Sequence, residues 1–129
     1  MKQTNFLDKY PVWTLELLKS EVAQKSCDEI IDYLKSKVEA HPIATFITVF
    51  DHYAHTSALE GGVIAPEIKD VKNLIFCFGK EIPNTKVAAV RPRSMAVCEL
   101  EDKWVIEFIE APNETLHGVM ENWAKSLKI

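Results

Sequence analysis

Nowhere does this 129-residue chain approach the roughly 20 consecutive apolar residues of a membrane-spanning helix. The first ten residues, Met1 to Tyr10, have no apolar stretch of the kind a secretory signal needs, so none is expected. Cysteine is sparse: Cys27, Cys77 and Cys98 form no C-x-x-C pair, which argues against a zinc site or a disulfide framework. Each lies in an apolar or helical pattern, as expected of thiols kept reduced in a cytoplasm. Glycine is scarce too. Gly61-Gly62 is too short to cradle a phosphate, and no helix opening with Lys-Ser or Lys-Thr follows it. Positive charge is neither abundant nor clustered. The net charge is −4, and apart from Arg91-Pro92-Arg93 the basic residues are scattered. Nucleic acid and anionic membrane are therefore not expected as partners. Repeats, linkers and low-complexity segments are absent, so residues 1–129 read as a single domain.

What is present is ordinary globular material: 47% apolar and 26% charged residues. A chain of this size buries about two-thirds of its surface on folding, so one apolar core suffices. Val12 to Lys19 predicts a strand, with Trp13, Leu15 and Leu17 on one face and Thr14 and Glu16 on the other. Cys27 to Ala40 predicts a helix. Ser26 and Glu29 form a capping box, and Ile30, Ile31, Leu34 and Val38 form the buried stripe. His41-Pro42 ends it, because the residue before proline resists the α conformation. Ile43 to Phe50 is β-branched and aromatic and predicts the next strand. Asp51 to Ala65 is a polar connection with room for a short helix. Leu74 to Phe78 reads as a strand buried on both faces at the centre of a sheet. Val87 to Val90 suits a short strand or a helical turn. Ser94 to Leu100 and Trp104 to Glu110 predict an antiparallel hairpin. A last helix follows Ala111-Pro112, with Leu116, Val119, Met120, Trp123 and Leu127 as its stripe. The expected fold is α+β, a two-layer, mainly antiparallel sheet of about five strands with two helices on one face, in the order β-α-β-β-β-β-α.

A series of landmarks resembles the family called domain of unknown function 302. They are Phe50-Asp51-His52, Ala58-Leu59-Glu60, Pro66-Glu67, Leu74-Ile75-Phe76 with Phe78-Gly79, a hairpin, and Glu110-Ala111-Pro112 before the last helix. The resemblance runs from about Ser26 onward. It implies a small two-layer α+β domain, often a homodimer, and no established activity. Three departures mark a divergent neighbouring family. Lys80 to Asn84 stands where that family has Asn-Pro, Arg91-Pro92-Arg93 where it often has Leu-Pro, and Cys77 interrupts the phenylalanine-glycine pair.

Several residues are candidates for chemistry. Within Asp51-His52-Tyr53-Ala54-His55, a helical turn would put His52 and His55 on one face. Two imidazoles at that spacing suit a shared metal, with Asp51 or Glu60 as a third ligand. His52 could equally be a general base. The alternative is a polar strand end, since the glutamate of H-E-x-x-H is missing. Arg91 and Arg93 around a stiff proline could clamp a carboxylate or phosphate, or belong to a solvated loop. Cys77 reads as a small core hydrophobe or as a thiol paired with His52. Cys98 reads as core. Cys27, opening a helix, is the thiol expected to be most reactive. Glu107 is expected on a solvated sheet face.

Three readings of function stay open at this level. The first in rank is a small-molecule- or metal-binding homodimer, with ligand contacts from His52, Asp51, Arg91, Arg93 and Cys77 and metal contacts from His52 and His55. The second is an enzyme using His52 as general base with Asp51 or Cys77. The third is a protein–protein assembly module. The residues name no cofactor.

Overall fold

A computed structural model describes residues 1–129. The chain builds β1 (Lys2–Phe6), β2 (Tyr10–Leu18), α1 (Cys27–Ala40), β3 (Ala44–Phe50), α2 (His52–Ala58), β4 (Asp70–Phe78), α3 (Thr85–Ala89), β5 (Arg93–Glu99), β6 (Lys103–Ile109) and α4 (Glu114–Lys125). The six strands form one sheet in the order β1-β2-β6-β5-β4-β3, and every neighbouring pair is antiparallel. The fold is α+β, with two more short helices and one more strand than the sequence pattern predicts.

Alternation divides the sheet into two faces. Trp13, Leu15 and Leu17 of β2 pair with Phe108, Ile106 and Trp104 of β6. Val97 pairs with Ile106, and Met95 with Leu74. This row, extended by Phe76 and Phe78, packs against Ile30, Ile31, Leu34 and Val38 of α1 and Met120, Trp123 and Ala124 of α4. Phe78 stacks on Trp123 at 5.6 Å between ring centroids. Only half of the expected capping box forms: Glu29 N–H donates to Ser26 Oγ, but the Glu29 carboxylate accepts from Lys25 N–H, one residue before the cap, rather than from Ser26 N–H.

The N-terminal strand is the element the pattern missed. All five residues of β1 are exposed, so it has no apolar signature and is held by its pairing with β2. The two are joined by a tight turn with positive φ at Leu7 and Asp8. β4 is longer than Leu74–Phe78, and its position corrects an expectation. It lies second from the edge, next to the edge strand β3, and only its helix-side residues Leu74, Phe76 and Phe78 are buried.

His117 is the other core residue without an apolar signature. It is buried on α4, with its ring against the edges of Trp13 and Phe108. Its Nδ1 accepts from Ala111 N–H, so Nε2 bears the proton and donates to Glu121 Oε1 at 3.0 Å. Burial pushes the Glu121 carboxyl up, but Lys125 and His117 together outweigh that and hold it below the usual carboxylate range. A depressed carboxylate stabilises the fold above the unfolded pKa of about 4.3 and loses that contribution as pH falls further. Glu121→Gln is therefore expected to lower the urea midpoint at pH 7 and to approach wild type at pH 3. Urea unfolding at both pH values checks this, and an equal deficit at both would contradict it.

Candidate functional site

The site with the most unbalanced electrostatics lies where β4 ends, β5 begins and α4 starts. Phe78 closes β4, and residues 80–84 lead into α3, whose cap is Asn84 accepting from Val87 N–H. Arg91 joins Pro92 through a cis peptide bond and Arg93 opens β5. On the far side Pro112 precedes Asn113, whose Oδ1 accepts from Leu116 N–H and caps α4. Between these elements is a cleft of about 290 Å³, walled by Phe78, Pro83, Val87, Val90, Ala111 and Leu116, with both arginines in its lining. An adjoining hollow of about 350 Å³ adds Lys80.

Neither guanidinium has a carboxylate. Arg91 Nη1 donates to the Glu81 carbonyl at 2.7 Å, and Arg93 Nη2 donates to the Ile109 carbonyl. Arg93 Nε is shut away from solvent without any acceptor. Glu81 lines the cleft, yet none of the ion pairs of the fold involves an arginine. Burial pulls the Arg93 guanidinium below its ordinary pKa. It stays protonated at neutral pH all the same, because arginine starts above 12. A charge half out of water, with carbonyls as its only protein partners, has no counter-charge within the fold.

The opposite face of the sheet carries a second, polar arrangement. α2 and residues 63–68 lie over β4 and β5 and enclose a hollow of about 370 Å³. His52 Nδ1 meets Asn73 Oδ1 at 3.0 Å, and Asn73 Nδ2 donates to Ser94 Oγ at 3.1 Å. Because an amide oxygen only accepts, His52 carries its proton on Nδ1 and presents Nε2 as an acceptor.

The model described as "Family of unknown function (DUF6858)" matches residues 1–129. The chain belongs to that family. No curated protein matches it. Among solved structures, it is similar to the crystal structure of an uncharacterized conserved DUF302 protein from Bacillus stearothermophilus. The TM-score is 0.60 at 14% identity, over 90% of this chain and 94% of that one. At that identity the likeness shows the fold alone. The resemblance read from the landmarks therefore holds: this DUF6858 protein is a divergent neighbour on the DUF302 fold.

The DUF6858 chain distributes the sequence candidates over separate places. Arg91 and Arg93 share the cleft. His52 is exposed and begins α2, and Asp51 caps that helix, its Oδ1 accepting from Ala54 N–H. His52 and His55 both pack on Phe50, at 4.9 and 5.4 Å between ring centroids. No group of three His, Cys, Asp or Glu side chains stands close enough to hold a metal. Cys77 pairs with Thr45 and lies four residues along β4 from Asn73, about 13 Å at strand spacing, so the structure does not bring it to His52. It also lies on the face opposite Arg93, which pairs with Phe76.

Cys27 overturns an expectation. It is 1% exposed, and burial pushes its thiol far up, with the Asp70 and Glu99 charges adding to the effect. The helix dipole does not compensate for lost solvent there, so it is an inert core thiol. Cys98 is half-buried on the open face, its thiol raised by burial and then by Glu107 and Asp70. Asn73 and Ser94 were not legible as site residues. Their role depends on β4–β5 register, which only the assembled sheet defines.

Proposed function

We propose that this protein is a binding domain for small organic anions, of the class of a carboxylate on an aromatic or branched apolar body. One observation carries the reading: two guanidiniums with no carboxylate partner stand in an apolar cleft of about 290 Å³. The volume is at the small end of ligand pockets. Arg93 Nη1 has no protein acceptor, so a carboxylate gains a charge-assisted hydrogen bond there, while Phe78, Val87 and Leu116 cover the apolar body. No catalysis is needed for this reading. The three cysteines are free, which suits a reducing cytoplasm as the place of action. No helix is long and apolar enough to cross a membrane.

Phenylacetate is a suitable probe, followed by calorimetry. Wild type is expected to bind saturably. Arg93→Met is expected to weaken binding at least about tenfold, the equivalent of 1.4 kcal/mol. Arg91→Met, at a half-buried side chain whose one bond is to the Glu81 carbonyl and whose nitrogens are not shut from solvent, weakens it less and serves as the second variant. Unchanged affinity in both variants would refute the reading.

A second reading, the homodimer, is favoured by a different observation. Phe6, Tyr10, Leu18 and Ile109 are 59%, 49%, 49% and 52% exposed, and all stand on the sheet face that α1 and α4 leave bare. Apolar residues gathered on one open face are a common mark of association. Light scattering after size exclusion is expected to give twice the 14.7 kDa chain mass at micromolar concentration, and Ile109→Lys to return a monomer. A wild-type monomer there would count against it.

A further inference from the structure

The hollow that α2 and its following loop enclose over β4 and β5 shares no lining residue with the arginine cleft. Its floor is a square of four side chains. Val71 pairs with Cys98 and Asn73 with Ala96, and the strand period of two brings all four to one face. Tyr53 and Thr56 of α2 and Ile64 and Ile68 of the loop complete the lining. Backbone bonds fix this roof at both ends. Gly62 N–H donates to the Leu59 carbonyl at 3.0 Å, and the loop passes so close to α2 that a methyl group on Gly62 would collide with the Thr56 carbonyl. At the other end Ile68 N–H closes a turn on the Ala65 carbonyl, and Lys69 N–H donates to the Glu99 carbonyl at 2.8 Å, which ties the loop to β5.

No Asp, Glu, Lys or Arg lines this hollow. Cys98 adds no charge, because burial first, and then Glu107 and Asp70, push its thiol up. An ion entering would lose water and gain no counter-charge, so the hollow favours a neutral occupant. Its polar end is set by a chain of hydrogen bonds. Ser94 Oγ accepts from Asn73 Nδ2, and Asn73 Oδ1 accepts from His52 Nδ1. His52 Nε2 has no partner in the fold and stands as an acceptor on an exposed ring at the rim. A mainly apolar hollow of about 370 Å³ with one oriented acceptor suits a compact apolar body bearing a hydroxyl. A phenol meets both requirements: it is uncharged at neutral pH, with a pKa near 10 as in tyrosine, and its hydroxyl donates.

We propose that this hollow is a second binding site, specific for small uncharged phenols: the hydroxyl donates to His52 Nε2, and the ring lies on Val71, Ala96 and Cys98 beneath Ile64 and Ile68. The site uses neither arginine and stands independently of the anion reading.

The probe is p-cresol, titrated at pH 7.5 into isotopically labelled protein and followed by backbone amide resonances. Saturable shifts are expected at Val71, Ala96, Cys98 and Ile68. His52→Phe is expected to weaken p-cresol about fivefold, the worth of one hydrogen bond, and to leave the affinity for toluene, which has no hydroxyl, unchanged. Ala96→Leu, which fills the hollow from its floor, is expected to abolish the shifts from both probes. Phenylacetate at the same concentrations should leave these amides unmoved. The proposal is overturned if p-cresol gives no saturable shift at the floor, if its shifts centre on Phe78 and Leu116 in the cleft, or if folded His52→Phe binds it as tightly as wild type. Equal losses of p-cresol and toluene in His52→Phe would mark a merely structural role for the ring and overturn it as the acceptor. Displacement of p-cresol by phenylacetate overturns the preference for an uncharged ligand.

Discussion

A charge drawn partly out of water needs a partner of opposite sign, and at Arg93 this fold supplies none. Arg93 is half-buried with a carbonyl oxygen as its only acceptor, and its Nε is shut away from solvent without one. Desolvating an ion costs several kcal/mol unless hydrogen bonds and a counter-charge replace the lost water. Elsewhere the same sheet meets that requirement, as with Lys19–Glu99 and Lys103–Glu16. Arg93 is therefore the place where a ligand has most to contribute.

Strand geometry explains where that charge sits. Successive residues of β5 point to opposite faces, so Arg93 turns toward the helix side and Ser94 toward the open side. α1 and α4 seal most of the helix side with a contiguous apolar core, and the cleft opens only at the edge where α4 begins. On the other side α2 and its following loop roof β4 and β5 alone, leaving β1 and β2 bare. The fold thus leaves a cleft lined by both arginines, an open-face hollow beneath α2 and an uncovered apolar margin.

Much of this was legible in the residues. The Ser26 cap, the stripe of Ile30, Ile31, Leu34 and Val38, and the final hairpin depend on local spacing, and each forms where the spacing puts it. That Arg91 and Arg93 stand near one another about a proline was readable because it is local, and both line the cleft. Local pattern could not reveal β1, whose exposed residues are held by backbone pairing alone, or His117, a polar residue buried by a bond to a distant backbone amide. Nor could it show that Glu107 lacks a cation, since that depends on which strand lies opposite. The placement of His52, Arg93 and Cys77 depends on register in the same way, which puts Cys77 along β4 from Asn73 and on the face opposite Arg93.

The claim that Arg93 lacks a counter-charge and that the cleft supplies room for one is tested most directly by a crystal soaked with phenylacetate. The carboxylate should lie against Arg93 Nη1, with the ring among Phe78, Val87 and Leu116. A bound phenylacetate whose carboxylate avoids both arginines would contradict it.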